Sequence, residues 1–168
     1  YLDVTGNIST TAFNANGFTI DFEADFGNVA DNWERIIDFS EVGMENDNIL
    51  VGRLGASRDL TMQIYNGTVP NTCSYANAIS ATSEMARWTI HIDGSNCRIY
   101  KNGTLGVTQP FTAKPAAGLT LTDNFIGRSN WWQYDAAFEG AIKSVNIYAA
   151  AFAPSDIQGY TYKTVTSD

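Results

Sequence analysis

The sequence predicts an all-β domain, either a sandwich or a barrel. Short runs of alternating or continuous apolar residues recur along it, each bounded by Gly, Asn, Asp or Pro. No segment keeps a 3.6-residue apolar period, and the best helical candidate is the single turn Pro154-Ser-Asp-Ile157. Lys101-Asn-Gly-Thr104 carries the Asn-Gly pair that tolerates the two positive φ angles of a type I′ hairpin. Many short strands, turn signals and almost no helix mean stacked or closed sheets.

The first strand is the clearest. In Phe18-Thr-Ile-Asp-Phe-Glu-Ala-Asp-Phe26, Phe18, Ile20, Phe22, Ala24 and Phe26 share one face and Thr19, Asp21, Glu23 and Asp25 the other, as a half-buried strand requires. Strands follow over Arg35 to Ser40, Ile49 to Leu54, Leu60 to Tyr65, Trp88 to Ile92 and Cys97 to Lys101, where each apolar run ends at a turn residue. The Asn102-Gly103 turn makes Leu105 the start of a paired strand. Asn124 to Gly127 and Ala141 to Tyr148 complete the set.

Length and composition bound the rest. At 168 residues the chain suits one domain, 1–168, with a full core. With 44% hydrophobic and 17% charged residues it is not disordered, and its apolar runs are too short to span a bilayer. Ten basic against 18 acidic residues give a net charge of −8, and Lys101, Lys114, Lys143 and Lys163 are scattered, so nucleic acid is excluded as a partner. Cys73 and Cys97 have neither CxxC spacing nor enough partners for zinc. A disulfide between them, with two buried thiols as the alternative, would stabilise the fold by roughly 3 kcal/mol and mark an oxidising compartment. It would tie the loop after the Tyr65 strand to the hairpin. The sequons at Asn7, Asn66 and Asn102 fit a secreted or cell-surface glycoprotein. Opening at Tyr1 without a signal peptide, the chain reads as a processed protein or, in the favoured reading, a module of a larger extracellular protein.

Four motifs resemble the laminin-G-like, concanavalin A-like jelly rolls, and the likeness covers nearly the whole chain. Gly17-Phe-Thr-Ile-Asp-Phe is similar to that family's early strand, and Ile92-Asp-Gly-Ser-Asn-Cys-Arg-Ile-Tyr-Lys-Asn-Gly103 to its central hairpin. Phe125-Ile-Gly-Arg-Ser-Asn-Trp-Trp, followed by Phe138-Glu-Gly-Ala-Ile-Lys-Ser-Val-Asn-Ile-Tyr148, resembles its ending, and Pro154-Ser-Asp-Ile157 the turn beyond. The resemblance implies a two-sheet antiparallel jelly-roll sandwich. It also implies a function among glycan binding, adhesion, structural spacing and polysaccharide cleavage. Two departures stand out: Lys143 replaces an acidic residue that would serve as a calcium ligand, and Met85 with Trp88 replaces a Trp common near position 85.

Catalytic chemistry finds few residues. Glu23-Ala-Asp25 begins the Glu-x-Asp-x-x-Glu strand of laminarinase-type enzymes, but Asn28 stands where the second Glu belongs, so the carboxylate pair is missing. The alternative is a solvated outer face of an edge-type strand. A lyase would need a His, Tyr, Gln and Arg cluster, and His91, the single histidine, is flanked by Ile90 and Ile92 as an ordinary polar residue would be. The chain is therefore expected to bind rather than catalyse.

The strongest binding signal is Asn130-Trp-Trp-Gln-Tyr134, where Trp131, Trp132 and Tyr134 stand in a polar loop after Arg128 and offer flat faces on which a sugar can stack. The alternative is that a Trp of this loop folds back over the core. Trp33, Arg35, Asp38, Asn48 and Arg53 lie on two segments expected to pair, and their groups suit sugar hydroxyls. Asp38 and Arg35 would alternatively form a structural ion pair with Arg53. Calcium is a candidate cofactor because Glu45-Asn-Asp-Asn48 and Asp135 supply oxygen ligands. These readings make the chain a carbohydrate-binding or adhesive module whose partner is a glycan or extracellular protein. Its alternatives are a structural unit contacting copies of itself and, less favoured, a polysaccharide-degrading enzyme.

Overall fold

The computed structural model describes residues 1–6, 8, 11–14, 17–27, 31–41, 47–115 and 119–157. Asn7, Asn28, Glu45, Asn46 and Lys163 lie outside the described residues.

Among the described residues, eleven strands and two one-turn helices follow one another as β1 (Leu2–Asp3), α1 (Thr11–Asn14), β2 (Phe18–Asp25), β3 (Arg35–Ser40), β4 (Ile49–Arg53), β5 (Leu60–Asn66), β6 (Val69–Tyr75), β7 (Ala86–Ile92), β8 (Asn96–Lys101), β9 (Thr104–Pro110), β10 (Asp123–Ile126), β11 (Ala141–Tyr148) and α2 (Pro154–Ile157). Every pairing is antiparallel. They form a six-stranded sheet ordered β1-β10-β3-β4-β5-β6 and a five-stranded sheet ordered β11-β2-β7-β8-β9, the expected two-sheet jelly roll. No helix among the described residues is long and apolar enough to cross a membrane.

Alternation builds the core between the sheets. Phe18, Ile20, Phe22 and Ala24 of β2 and Trp88, Ile90 and Ile92 of β7 meet Ile37 and Phe39 of β3, Ile49 and Val51 of β4, and Met62 and Ile64 of β5. Removing that apolar area from water is the main driving force for closing the sandwich.

The structure corrects three expectations. β2 is not an edge strand with a solvated outer face, because β11 pairs on one side and β7 on the other, and Thr19 and Asp21 are buried. Asp21 is held by Arg87 Nε (2.9 Å) and Thr89 Oγ1 (2.8 Å), which offsets the desolvation of its carboxylate. Glu23 pairs with Lys143, while Asp25 accepts from Ser83 Oγ and the Gly27 amide, so these carboxylates brace the sheet. Second, the segment after Tyr65 is not a loop but the edge strand β6, missed because Val69-Pro-Asn-Thr has neither alternation nor an apolar run. Cys73 therefore bonds Cys97 from strand to strand, β6 to β8, joining the two sheets. Third, the strand predicted over Ile49 to Leu54 ends at Arg53.

The Asn-Gly hairpin joins β8 to β9 with Asn102 at φ 50° and Gly103 at φ 79°, the two positive angles its sequence promised. Both Asn66 and Asn102 are exposed, at hairpin tips.

Candidate functional site

The site lies on the outer face of the six-stranded sheet, and a β-bulge creates it. Along β3, residues 35 and 38 are an odd number apart and in a regular strand would point to opposite faces. Register shifts between Arg35 and Ile37, so Arg35 falls opposite Gly52 while Asp38 falls opposite Leu50, and both face outward. Gly52 permits this: a Cβ there would lie 2.2 Å from the Glu34 carbonyl oxygen, which accepts the Arg53 amide instead.

Asp38 is fully buried and is the anchor of the loop that covers this face. It accepts from Asn48 Nδ2 (2.8 Å), the Asn130 amide (3.0 Å) and Asn130 Nδ2 (3.1 Å), with Arg35 Nε at 3.6 Å. A carboxylate buried without such partners would cost several kcal/mol. Next along the loop, Ser129 Oγ donates to Asp135 Oδ2 (2.6 Å) and accepts the Trp131 amide (3.0 Å). Asp135 in turn receives Arg35 Nη2 (2.9 Å), and Trp131 is set against Tyr65 of β5 with ring centroids 5.7 Å apart.

Between loop and sheet opens a cleft of about 220 Å³ lined by Trp33, Arg35, Tyr65, Trp131, Tyr134 and Asp135. The Arg35 guanidinium forms its floor, 4.9 Å from the Trp33 ring centroid and 5.8 Å from that of Trp131. Trp33 itself is held at φ 59°, a conformation an L-residue adopts at a cost of about 1–2 kcal/mol. Its amide bonds the Gly55 carbonyl (2.9 Å) and its carbonyl accepts Arg35 Nη1 (3.0 Å), which keep the ring at the mouth. Burial pushes the Asp135 carboxyl above its usual range, opposed by the Ser129 hydroxyl and the Arg35 charge. Burial also raises the Tyr65 phenol, which stays neutral and able to donate. The cleft thus offers aromatic faces, a planar cation and a carboxylate to one small polar ligand.

A family model described as the concanavalin A-like lectin/glucanases superfamily matches residues 3–158. The chain belongs to that superfamily. No curated protein matches its sequence. Among solved structures of this lectin/glucanase fold, the NanB sialidase of Streptococcus pneumoniae superposes with a TM-score of 0.73 at 10% identity, over 97% of this chain and 26% of the sialidase. The chain therefore spans about a quarter of that enzyme's length. The CBM40 module of the Ruminococcus gnavus IT-sialidase superposes with a TM-score of 0.71 at 15% identity, over 93% of this chain and 89% of the module, which has also been solved bound to α2,3-sialyllactose. A structure of botulinum neurotoxin type C, whose cell entry depends on two ganglioside molecules, superposes with a TM-score of 0.65 at 19% identity, over 92% of this chain and 38% of the toxin chain. At these identities the likeness is one of fold.

Within the superfamily fold, the residues expected at the site divide into three groups. Trp33, Arg35, Trp131 and Tyr134 come together in the cleft. Asp38, Asn48 and Asn130 lie beneath it as braces: Asn48 is fully buried, and Asn130 Nδ2 is shared among Asp38 and the Asp123 carbonyl. Arg128, Trp132 and Arg53 point elsewhere. Arg128 stacks on Tyr1 and Phe125 at 4.7 and 4.6 Å, with exposed Trp132 at 6.0 Å. Arg53 lies on the inner face opposite Leu60 and pairs with Glu34 at 2.7 Å, so the proposed ion pair of Arg53 with Asp38 does not form. Burial pushes the Glu34 carboxyl above its usual range despite that partner.

Two lining residues escaped the sequence reading as ligand groups. By sequence Tyr65 is only the end of a strand, although its parity with Thr61 and Gln63 places it outward. By sequence Asp135 is a candidate for calcium alone. It meets Arg35, and among the described residues no three His, Cys, Asp or Glu side chains converge as a metal site. Asp47 accepts the Gly67 amide (2.9 Å) and Asn48 donates to Asp38, so the described half of the Glu45–Asn48 loop serves the hairpin and the site floor.

Proposed function

We propose that this chain is a non-catalytic carbohydrate-binding module of a secreted or cell-surface protein, seating one sugar residue in the cleft between Trp33 and Trp131. The observation that carries the reading is the convergence of four aromatic rings around a single Arg–Asp pair in an open cleft. Apolar ring faces suit the C–H face of a pyranose, Asp135 can accept from its hydroxyls, and the Tyr65 hydroxyl can donate to them or accept. The module-length likeness to a CBM40 domain solved with sialyllactose supports a glycan as the ligand class. The cross-sheet disulfide and exposed Asn66 and Asn102 sequons support an extracellular setting.

The test is a glycan array followed by calorimetry, with Tyr134→Ala as the probe. The Tyr134 side chain is 74% exposed, so its loss should leave the melting temperature unchanged while weakening glycan affinity tenfold or more. Capture of no glycan at millimolar concentration would sink the reading. A second reading, an adhesive unit that contacts protein, is favoured by the exposed rings of Tyr1 and Trp132 around Arg128, which form a patch apart from the cleft.

A further inference from the structure

We infer that the cleft selects uncharged glycans and rejects carboxylate-bearing ones such as sialylated chains. The inference rests on the glycan reading above and deepens it by assigning the charge class of the ligand.

An arginine in an aromatic cleft would ordinarily attract an anion. Arg35 is already claimed: Nη2 meets Asp135 at 2.9 Å, Nε lies 3.6 Å from Asp38, and Nη1 donates to the Trp33 carbonyl at 3.0 Å. One positive charge therefore faces two negative ones, and the Arg35 side chain has only 4% of its surface exposed. Neither of the neighbouring arginines shifts that balance, because Arg53 is paired with Glu34 on the inner face and Arg128 stacks on Tyr1 and Phe125 beyond the loop. The partly buried surroundings screen the carboxylates less than water would, and the chain's net charge of −8 adds repulsion at longer range.

A ligand carboxylate entering here would displace neither Asp38, which the loop needs, nor Asp135, which Ser129 holds at 2.6 Å. Hydroxyls and amides meet no such conflict. A sugar O–H or N–H can donate to the remaining acceptor capacity of Asp135, and the Tyr65 hydroxyl can donate or accept. The charge pattern thus discriminates by repulsion as much as by attraction.

The experiment is an array on which each neutral oligosaccharide stands beside its α2,3- and α2,6-sialylated forms, probed with the wild type, Tyr134→Ala and Asp135→Asn. The expected result is at least tenfold weaker binding of each sialylated form than of its neutral parent. Asp135→Asn, which removes one of the two carboxylates, should narrow that gap threefold or more. Sialylated forms bound as well as or better than their parents, with the signal lost in Tyr134→Ala, would overturn the charge selectivity and leave the glycan reading intact. Absence of any glycan signal that depends on Tyr134 would overturn the glycan reading, and this inference with it. The preference of the wild type decides the matter even where Asp135→Asn loosens the loop.

Discussion

The outer faces of the two sheets start from similar residues and end differently. On the five-stranded sheet, Asn146, Asp21, Thr89 and Tyr100 stand side by side in register, and Asp21 is satisfied by Thr89 and Arg87 within the sheet itself. On the six-stranded sheet, Asp38 and Arg35 face outward in the same way, but beyond Asn48 and the Trp33 carbonyl their partners come from the loop that carries Ser129, Asn130 and Asp135. Polar groups that satisfy one another across strands leave a flat, closed surface. When their partners come from a covering loop, the loop is held off the sheet by its own aromatic side chains and a cleft remains between them. A row of buried polar residues is therefore weak evidence for a site until the origin of its partners is known.

The contrast can be broken most strongly at Asp38. Asp38→Ala would strand Asn48, Asn130 and Arg35 without their shared acceptor, at a cost of about 3–5 kcal/mol. The melting temperature should fall by on the order of 10 °C, and glycan binding should disappear with the loop. Calorimetry of the variant, with and without glycan, checks both. A variant that melts normally and still binds would mean that Asp38 is not the anchor.

Asp21→Ala is the matching change on the other face. Arg87 keeps 27% of its surface in water and can be rehydrated, so the expected loss is smaller, about 1–3 kcal/mol, with glycan affinity unchanged. Equal losses in the two variants would erase the distinction between the faces.

The smallest effect is expected at the rim of the five-stranded sheet. Arg98 Nη1, 2.5 Å from Asp93, together with the Ser95 and Asn96 amides, holds the Asp93 carboxyl far below the usual range. A carboxyl depressed in the folded state stabilises fully above its unfolded pKa, and that stability is lost as pH falls through the folded value. Melting curves of the wild type and Asp93→Asn should differ by a constant amount at neutral pH and converge as pH drops below about 4. A gap that widened in acid would contradict this assignment.

How much of the site could be read beforehand depends on parity. Arg53 shares the odd positions of Ile49 and Val51, so alternation alone places it inward, where it meets Glu34 and the Phe26 ring rather than a ligand. Tyr65 shares the odd positions of Thr61 and Gln63 and is outward by the same rule, yet nothing local marks it as a partner for Trp131. The bulge at Arg35 breaks the rule, and its one trace is Gly52, whose meaning depends on which strand lies opposite.

The amino-acid order by itself determined what repeats over a few residues: the apolar alternation that makes β2 and its neighbours strands, the Asn102-Gly103 hairpin and the short Pro154–Ile157 helix. Those features rest on interactions between residues close in sequence, which a pattern can carry. The cleft depends on pairs such as Arg35 with Asp135 and Asp38 with Asn130, about a hundred positions apart. Chain order leaves such pairings open, because any acceptor could meet any donor. Only the packing of the loop onto a bulged strand decided which charges meet, which rings stay exposed and what the site can hold.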